Sequence, residues 1–240
     1  MKNMWDKKAN NYQRYNGKLG EFQAKFFEVL HNYGINFTDK TLVDIGCGTG
    51  VYTLYLATKC AHITGVDNSR GMLEILKEDA DKFDIKNLSL ICKPWSEFKS
   101  DKSYDIVFCT MSPAIQSEAD FAKFNTLGNE KIYLGWAKPR SSDLLEPFFE
   151  KYGRKTTNFI VANKLKSWLE AQNIKFKHEI LSETRVVTRK FDQAFENICW
   201  HLEINELVYD KNEVYVMLEK MCKNGEINEK IDSLMSVFVF

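Results

Sequence analysis

The stretch that decides the fold of this 240-residue chain is Leu42-Val43-Asp44-Ile45-Gly46-Cys47-Gly48-Thr49-Gly50. Its first half is short, apolar and β-branched, which is typical of a buried strand in a parallel sheet. Three glycines at alternate positions follow, and because glycine has no Cβ, the chain can turn sharply there and leave bare backbone for a ligand. Residues 51–57 have a helical pattern, so the turn is expected to present free N–H groups and the positive end of a helix dipole to that ligand.

The spacing of the glycines distinguishes two kinds of nucleotide-binding loop. The pyrophosphate-binding fingerprint of nicotinamide and flavin enzymes requires Gly-x-Gly-x-x-Gly. Here the third glycine comes one residue early, and Val51 stands where the last glycine of that fingerprint belongs. An acid followed by Gly-x-Gly-x-Gly instead resembles motif I of the class I S-adenosylmethionine (SAM)-dependent methyltransferases. A strand, turn and helix with a purely structural role is the alternative.

Composition narrows the class of protein. Basic and acidic residues balance at 33 each, which counts against a nucleic-acid partner. No apolar stretch is long enough to span a membrane, and residues 1–6 lack the apolar region of a signal peptide. None of the six cysteines forms a Cys-x-x-Cys pair and the four histidines are scattered, so we predict a reducing, cytoplasmic location and no metal.

A second acid stands at the distance from the glycine loop where a ribose is held. Residues 61–66 predict the second strand, which closes with Asp67 about 20 residues beyond the loop. One carboxylate can accept hydrogen bonds from both the 2′- and 3′-hydroxyls of a ribose, and the methyltransferases that this chain resembles use this position in that way. The alternative is a strand-end acid that only caps the helix expected from Ser69 onward.

The N-terminus is predicted to form a helix over residues 4–16, followed by a second helix that ends at Gly34. The segment Trp5-Asp6-Lys7-Lys8-Ala9-Asn10-Asn11-Tyr12 resembles one that covers the methionine end of SAM in many class I methyltransferases. An ordinary amphipathic helix with an aromatic stripe is the alternative. Tyr12 and Tyr15 are candidate bases or orienting groups for the acceptor, as are His31 and His201.

Two later segments bear on adenine binding. Residues 68–73 resemble the family's Asp-x-Ser-x-x-Met-Leu segment, which implies that Met72 lies under the adenine. After the third strand (88–92) the family usually has Gly-Asp-Ala, but this chain has Lys93-Pro94-Trp95, so the acid that accepts from the adenine amino group is absent. Trp95 either stacks on the purine or seals the end of the sheet.

The fourth predicted strand (103–110) runs into Met111-Ser112-Pro113-Ala114. DNA and protein-amide methyltransferases have Asn-Pro-Pro-Tyr or Asp-Pro-Pro-Tyr at this point, so the sequence argues against chemistry on the exocyclic amines of bases. The resemblance implies that Thr110 and Met111 pack along the methionine chain of SAM.

The alternation of strands and helices predicts an α/β fold of three layers with a doubly wound, mostly parallel sheet. The resemblance implies that this is a seven-stranded sheet whose last strand is antiparallel. We expect a single domain over residues 1–240. Its parts are an N-terminal helical cap (1–34), a core of sheet and helices (35–189 and 227–240) and a helical insertion (190–226). The cap and the insertion are expected to roof the site.

The resemblance implies a methyltransferase with SAM as cofactor, S-adenosylhomocysteine as product and a small-molecule acceptor. We expect no nucleic-acid or membrane partner, and either a monomer or a homodimer. The implied cofactor-binding residues are Asp44, Gly46, Cys47, Gly48, Asp67, Asn68, Met72, Trp95, Thr110 and Met111. Two alternatives stay open: a non-catalytic module that binds SAM or its product, and a methyltransferase acting on a protein side chain.

Overall fold

The computed structural model describes residues 4–154 and 161–240. Its helices are α1 (Met4–Lys8), α2 (Glu21–Asn32), α3 (Val51–Ala57), α4 (Arg70–Lys82), α5 (Glu118–Thr126), α6 (Glu146–Tyr152), α7 (Val161–Ala171), α8 (Phe191–Ile204) and α9 (Lys211–Met221). Its strands are β1 (Thr41–Ile45), β2 (His62–Asp67), β3 (Leu88–Cys92), β4 (Tyr104–Thr110), β5 (Gly128–Trp136), β6 (Ser141–Ser142), β7 (Lys177–Lys190) and β8 (Glu226–Val239).

The first five strands form the parallel part of the sheet. β1 pairs with β2 on one side and with β4 on the other, β3 extends the sheet beyond β2, and β5 extends it beyond β4. The chain therefore leaves β1 in one direction and later returns to its other side. This reversal creates a crevice at the carboxyl ends of β1 and β4, which is where open α/β sheets bind ligands.

The final strand runs antiparallel to its neighbours, as predicted. Lys131 and Phe240 exchange both backbone hydrogen bonds, at 2.8 and 3.0 Å, which is the pattern of an antiparallel pair between β5 and β8. β8 also pairs with β6 and β7. The described residues form an eight-stranded sheet instead of the predicted seven, because the two-residue β6 has no alternating pattern that a sequence could reveal.

Helices cover both faces of the parallel strands. On one face, Val43 and Val107 pack with Phe121 of α5 and Leu165 of α7 in one apolar cluster. On the other face, Phe108 meets Phe26 of α2 with ring centroids 6.0 Å apart. Adjacent residues of β4 thus point to opposite layers, which confirms the predicted three-layer, doubly wound arrangement.

The contacts divide the chain into two compact units. The first comprises Met1–Gly135, Val161–Leu181 and Ser236–Phe240, and the second comprises Trp136–Ile160 and Ser182–Met235. The first unit holds the glycine loop and all five parallel strands up to Gly135. The assignment of residues 1–240 to one domain stays a prediction.

The second unit has a core of its own. The predicted insertion forms α8 and α9, as expected, and Ile198 of α8 packs with Leu218 of α9. Phe148 of α6 joins the same cluster, although no helix was predicted there. α6 escapes prediction because it has only seven residues, with a proline at its start.

A buried ion pair lies beside this core. Glu229 of β8 is fully buried and accepts hydrogen bonds from the Ser142 hydroxyl and the Arg189 guanidinium, each at 2.7 Å. The hydroxyl and the cation satisfy a carboxylate that would otherwise be costly to bury. This contact explains why so short a strand as β6 keeps its place beside β8.

The helix predicted over residues 4–16 is much shorter in the structure. α1 continues only as a 3₁₀ turn, Ala9–Asn11, and Tyr12 is extended with φ −87° and ψ 156°. Asn10 and Asn11 compete with helical hydrogen bonds through their side chains, which favours an end at this point. The residues that follow lie along α4 instead, where Arg14 donates to Asp79 at 2.6 and 3.0 Å.

We expect Gly46→Ala to destabilise the protein more than Gly34→Ala. Both glycines have positive φ, +72° and +84°, so alanine meets a backbone cost of about 1–2 kcal/mol at either position. A Cβ on Gly46 would also lie 1.8 Å from the Ser112 hydroxyl, whereas nothing lies within 4 Å at Gly34. The clash should add about 1–3 kcal/mol to the loss of unfolding free energy in urea titrations.

The double variant Gly46→Ala/Ser112→Gly provides the control, because it removes the clashing Cβ and hydroxyl of Ser112. It should recover most of the additional loss. Equal destabilisation by the two single alanine variants would contradict the proposed close approach.

Candidate functional site

The glycine loop between β1 and α3 combines two packed positions with one open position. A Cβ on Gly46 would strike Ser112, and a Cβ on Gly50 would lie 2.4 Å from Leu76 Cγ. Gly48 has φ +55°, and nothing lies within 4 Å of its missing Cβ. The loop therefore needs Gly46 and Gly50 for packing, while Gly48 presents bare backbone to open space, where a ligand can approach closely.

Asp67, at the tip of β2, lies directly beside this loop. Its Oδ2 accepts a hydrogen bond from the Gly48 N–H at 2.9 Å, and its Oδ1 accepts one from the Ser69 N–H at 2.8 Å. Each carboxylate oxygen has a further lone pair for a ligand hydroxyl. Burial raises the pKa of Asp67, while its two backbone donors act in the opposite direction.

The start of α4 is capped by Ser69. The Ser69 hydroxyl accepts a hydrogen bond from the Met72 N–H at 3.2 Å, which is the usual role of an N-cap serine. Ser69 therefore fills most of the capping role that was the alternative for Asp67. Ribose binding by Asp67 stays a prediction.

Asp44, in β1, is the most deeply buried acid of the site. The side chain is 1% exposed, and its Oδ2 accepts a hydrogen bond from the Thr53 hydroxyl at 2.6 Å. Its Oδ1 is buried and has no hydrogen-bond partner within residues 4–154 and 161–240. Burial raises the pKa of Asp44 to about 7, and the charge of Asp67 contributes in the same direction. A buried acceptor without a donor indicates a ligand or a water molecule at this point.

The tip of β4 meets the glycine loop from the other side of the crevice. Met111 follows the strand with φ +52°, an uncommon conformation for a residue with a side chain. Its N–H donates to the Leu134 carbonyl at 2.7 Å. Thr110 is buried just before it. This conformation directs the chain so that Ser112 contacts Gly46, and Thr110 and Met111 therefore lie at the predicted edge of the sheet.

The N-terminal segment, residues 4–16, crosses the glycine loop and the start of α4. Asp6 Oδ1 accepts hydrogen bonds from the Ser69 hydroxyl at 2.6 Å and from the Gly71 N–H at 2.9 Å. The Thr49 hydroxyl donates to the Gln13 carbonyl at 2.5 Å. The segment is thus attached beside Asp67 and the loop. The roof formed together with residues 190–226 stays a prediction.

The two candidate tyrosines have different surroundings. Tyr12 is 42% exposed, and its ring meets Trp5 edge to face at 6.4 Å. Tyr15 is buried in an apolar cluster, with its ring 5.1 Å from Phe83. Ordinary core packing accounts for Tyr15, so Tyr12 is the better placed of the two to meet an acceptor; both roles stay predictions.

The remaining predicted cofactor residues are divided between core and surface. Met72 is buried and packs with Ala9 and Ile75, and Asn68 is exposed. Cys47 lies against Gly65, and burial raises the pKa of its thiol well above the usual range. The roles of these residues toward a cofactor remain predictions.

Trp95 lies in the core cluster of the parallel sheet, where it is 6% exposed and stacks on Phe98. The Lys123 ammonium donates to the Trp95 carbonyl and lies 4.0 Å above the indole ring. This environment matches the interpretation that Trp95 seals the end of the sheet. Stacking on a purine stays a prediction.

Three contributors to the site were not assigned a role from the sequence. Asp6 is one residue of the N-terminal segment, Ser69 stands at the start of an expected helix, and Ser112 lies in the turn after the fourth predicted strand. Their roles depend on partners far along the chain, such as Ser69 for Asp6, which no local pattern shows. The pairing of Ser69 with Met72 is the exception, because a serine before a helical run is itself a capping signal.

The described residues contain no group of three histidine, cysteine, aspartate or glutamate side chains able to hold a metal ion. Among those same residues, no helix has both the length and the apolar character needed to cross a membrane.

Comparison with known proteins agrees with this geometry. Residues 42–126 match the family model described as a methyltransferase domain. An uncharacterised protein of Haemophilus influenzae is 27% identical over 158 residues, which are 65% of this chain and 57% of that protein. The (S)-tetrahydroprotoberberine N-methyltransferase of Eschscholzia californica is 37% identical over 68 residues, which are 28% of this chain and 19% of that enzyme.

A solved structure extends the likeness in fold to nearly the whole chain. The SAM-dependent methyltransferase from Geobacter sulfurreducens, in complex with S-adenosyl-L-homocysteine, aligns with a TM-score of 0.58 and 12% identity over 99% of this chain and 97% of that one.

Strand order, glycine loop and family match together define a class I methyltransferase domain. Residues 42–126 belong to the methyltransferase domain family, and over the rest of the chain the likeness to solved SAM-dependent methyltransferases is one of fold. It spans 57% of the Haemophilus protein and 19% of the plant enzyme, so the likeness concerns the domain and not those whole proteins.

We expect Asp44→Asn to flatten the dependence of stability on pH. The pKa of Asp44 is about 7 in the folded protein and about 3.9 in an unfolded chain. Between these values the folded state retains a proton that the unfolded state has lost, so the free energy of unfolding falls as pH rises. The fall should reach as much as about 4 kcal/mol.

Urea unfolding without ligand at pH 5, 6, 7 and 8 measures this effect, and the asparagine variant should lose the slope. Asp105→Asn is the matched control, because Asp105 is solvated and its hydrogen bonds from Thr41 lower its pKa. If Asp44→Asn and the wild type share the same slope, the acid responsible lies elsewhere.

Proposed function

We propose that this chain transfers a methyl group from SAM to a small-molecule acceptor. The observation that carries the proposal is the Asp67 carboxylate, held by the Gly48 N–H at a point where no described residue lies within 4 Å of the position of a Cβ on Gly48. This arrangement suits a ribose at Asp67 and a chain of atoms passing over Gly48.

The residues fit the cofactor at two further points. The buried Asp44 Oδ1 has no donor among the described residues, and an ammonium group or a water bound to one would supply it. Thr110 and Met111 lie at the adjacent strand tip, where the methionine chain of the cofactor would run. The absence of an acid after β3 leaves the adenine edge to other groups, since Trp95 is occupied by core packing.

Bound SAM supplies a methyl group activated by a positively charged sulfur, so the transfer needs no further activation of the donor. The chain's task is to orient the acceptor and to exclude water, and orientation can contribute up to about 7–11 kcal/mol in well-aligned cases. Tyr12 is the candidate for orienting the acceptor, because its ring is exposed on the segment attached beside the site.

A small acceptor is favoured by the charge balance of the chain and by the N-terminal segment. A phosphate backbone would call for a basic stripe, and the acids near the loop, Asp6, Asp44 and Asp67, oppose one. Trp5 and Tyr12 add aromatic surface on the same segment, which suits a partly apolar molecule.

A non-catalytic module that binds SAM or its product is the second candidate. It is favoured by the replacement of the family's acid with Lys93-Pro94-Trp95, in which Trp95 serves the core. Formation of S-adenosylhomocysteine from SAM in the presence of a panel of small amines, phenols and thiols distinguishes the two. A third possibility, an acceptor on a protein side chain, is tested in the same assay with peptide substrates.

We expect Asp67→Ala to weaken the binding of S-adenosylhomocysteine by about 1.5–3 kcal/mol, the range for hydrogen bonds to a charged group. Calorimetry on the purified chain measures this difference. Asp81→Ala, an exposed acid on α4, is the control and should leave the affinity unchanged. If the wild type binds neither SAM nor its product, the proposed function is wrong. If the wild type binds and Asp67→Ala binds equally well, only the assignment of Asp67 to the ribose is wrong.

Asp6 is expected to act as a positioning residue for this site. Its carboxylate holds Ser69 and Gly71, and Ser69 in turn donates to Asp67, so Asp6→Ala should loosen the loop that presents the ribose acceptor. We expect about a fivefold increase in the KM for SAM, equivalent to roughly 1 kcal/mol. Asp6→Asn keeps an acceptor oxygen and should restore part of the loss.

Arg14→Ala tests whether Asp6 acts on the loop itself or only helps to attach the N-terminal segment, because Arg14 attaches the same segment at another point. It removes the bond to the buried Asp79, away from the loop, and should lower the melting temperature while changing the KM by less than about twofold. Equal effects of Asp6→Ala and Arg14→Ala on the KM for SAM would contradict a specific positioning role for Asp6, because attachment of the segment would then explain both.

A further inference from the structure

Strand β7 has an edge that no other strand covers among the residues that the structure describes. β6 pairs with β8 at Asp232, and the Thr184 hydroxyl of β7 donates to the same Asp232 from the neighbouring strand. Because a strand has two edges, β6 and β7 occupy opposite edges of β8 at this point. Across residues 4–154 and 161–240, β7 pairs with no strand besides β8.

The uncovered edge is exposed in the second unit. Val186 is 67% exposed, and Ser182, Thr184 and Arg185 are exposed as well. A long exposed edge is a template for pairing with another chain, and charged side chains usually guard it. Glu183 and Arg185 are the charges here, and within the part of the chain that the structure describes neither has an ion-pair partner.

The order of these residues is self-complementary. If a second copy of the chain lays its own β7 antiparallel against this edge, with a two-fold axis at Thr184, Glu183 of each copy faces Arg185 of the other. Ser182 then faces Val186, and Thr184 faces its own counterpart. Opposite charges and β-branched side chains across strands are stabilising pairs.

Neighbouring registers are disfavoured. Only alternate residues direct their N–H and C=O groups toward the open edge, so a two-fold pairing can shift its axis only by whole residues. Moving the axis to Glu183 places Glu183 opposite itself, and moving it to Arg185 places Arg185 opposite itself. The same two charges that repel other pairings therefore select one register.

We propose that two copies of this chain associate through their β7 strands, antiparallel, with Thr184 at the two-fold axis. The interface is isologous, since the same strand contributes on both sides, as closed dimers require. The proposal does not depend on the cofactor or on catalysis.

Sedimentation equilibrium on the full chain tests it through a charge-exchange cycle. The wild type should dimerise. Glu183→Arg and Arg185→Glu each create two like-charged pairs and should raise the dimer dissociation constant by roughly tenfold. The double variant Glu183→Arg/Arg185→Glu restores both opposite pairs and should return to within about threefold of the wild type. Glu219→Arg, on the exposed face of α9, is the control and should change nothing.

A disulfide provides a second measurement that does not require the charge variants to fold. Thr184→Cys places two thiols on the axis, where directly opposed residues have Cα atoms about 4.5–5.5 Å apart, within reach of a disulfide. Mild oxidation should yield a covalent dimer with Thr184→Cys, and not with Thr188→Cys.

Several results would overturn the proposal. A monomer at all concentrations would mean that the edge stays open or takes another protein. A dimer that is indifferent to the charge cycle, a double variant as weak as the singles, or equal cross-linking at positions 184 and 188 would place any dimer contact elsewhere.

Discussion

The first unit depends on one close approach, between the glycine loop after β1 and the turn after β4. The Gly46 N–H donates to the Val66 carbonyl at 2.7 Å, while its Cα faces the Ser112 hydroxyl with no room for a Cβ. The loop is therefore confined between β2 and the tip of β4. That confinement places the Gly48 N–H against Asp67, so the candidate site takes its geometry from a backbone contact.

Electrostatics gives the site its second constraint. Burial raises the pKa of both Asp44 and Asp67, and a neighbouring acid adds to each shift, Asp67 for Asp44 and Asp6 for Asp67. Among the described residues neither Asp44 nor Asp67 forms an ion pair. Acids held close together without a cation suit a ligand that brings positive charge, which agrees with a cofactor bearing an ammonium and a sulfonium group.

Local patterns in the sequence predicted what depends on burial, and missed what depends on distant partners. β3 begins and ends at the predicted residues, and β2 and β4 lie within one residue of theirs, because short apolar and β-branched runs mark strands. The position of Asp67 beside the glycine loop was predicted from its distance to that loop along the chain. The role of Asp6 and the course of the chain beyond α1 could not be predicted, because they depend on bonds to residues more than 60 positions away. β6 was not predicted because two residues are too few to show the alternating pattern of a strand.

The way in which the N-terminal segment is attached bears on how a ligand enters. α1 buries none of its own residues, and its neighbourhood is held by the packing of Ala9 on α4 and by polar bonds of Asp6, Gln13 and Arg14. Such bonds contribute about 0.5–3 kcal/mol each, so they can open without disturbing the sheet. Tyr15, by contrast, is packed in the core beside Phe83. We therefore expect the segment to open from residue 4 as far as Tyr15, which would widen the access to Gly48 and Asp67, while the core behind them stays closed.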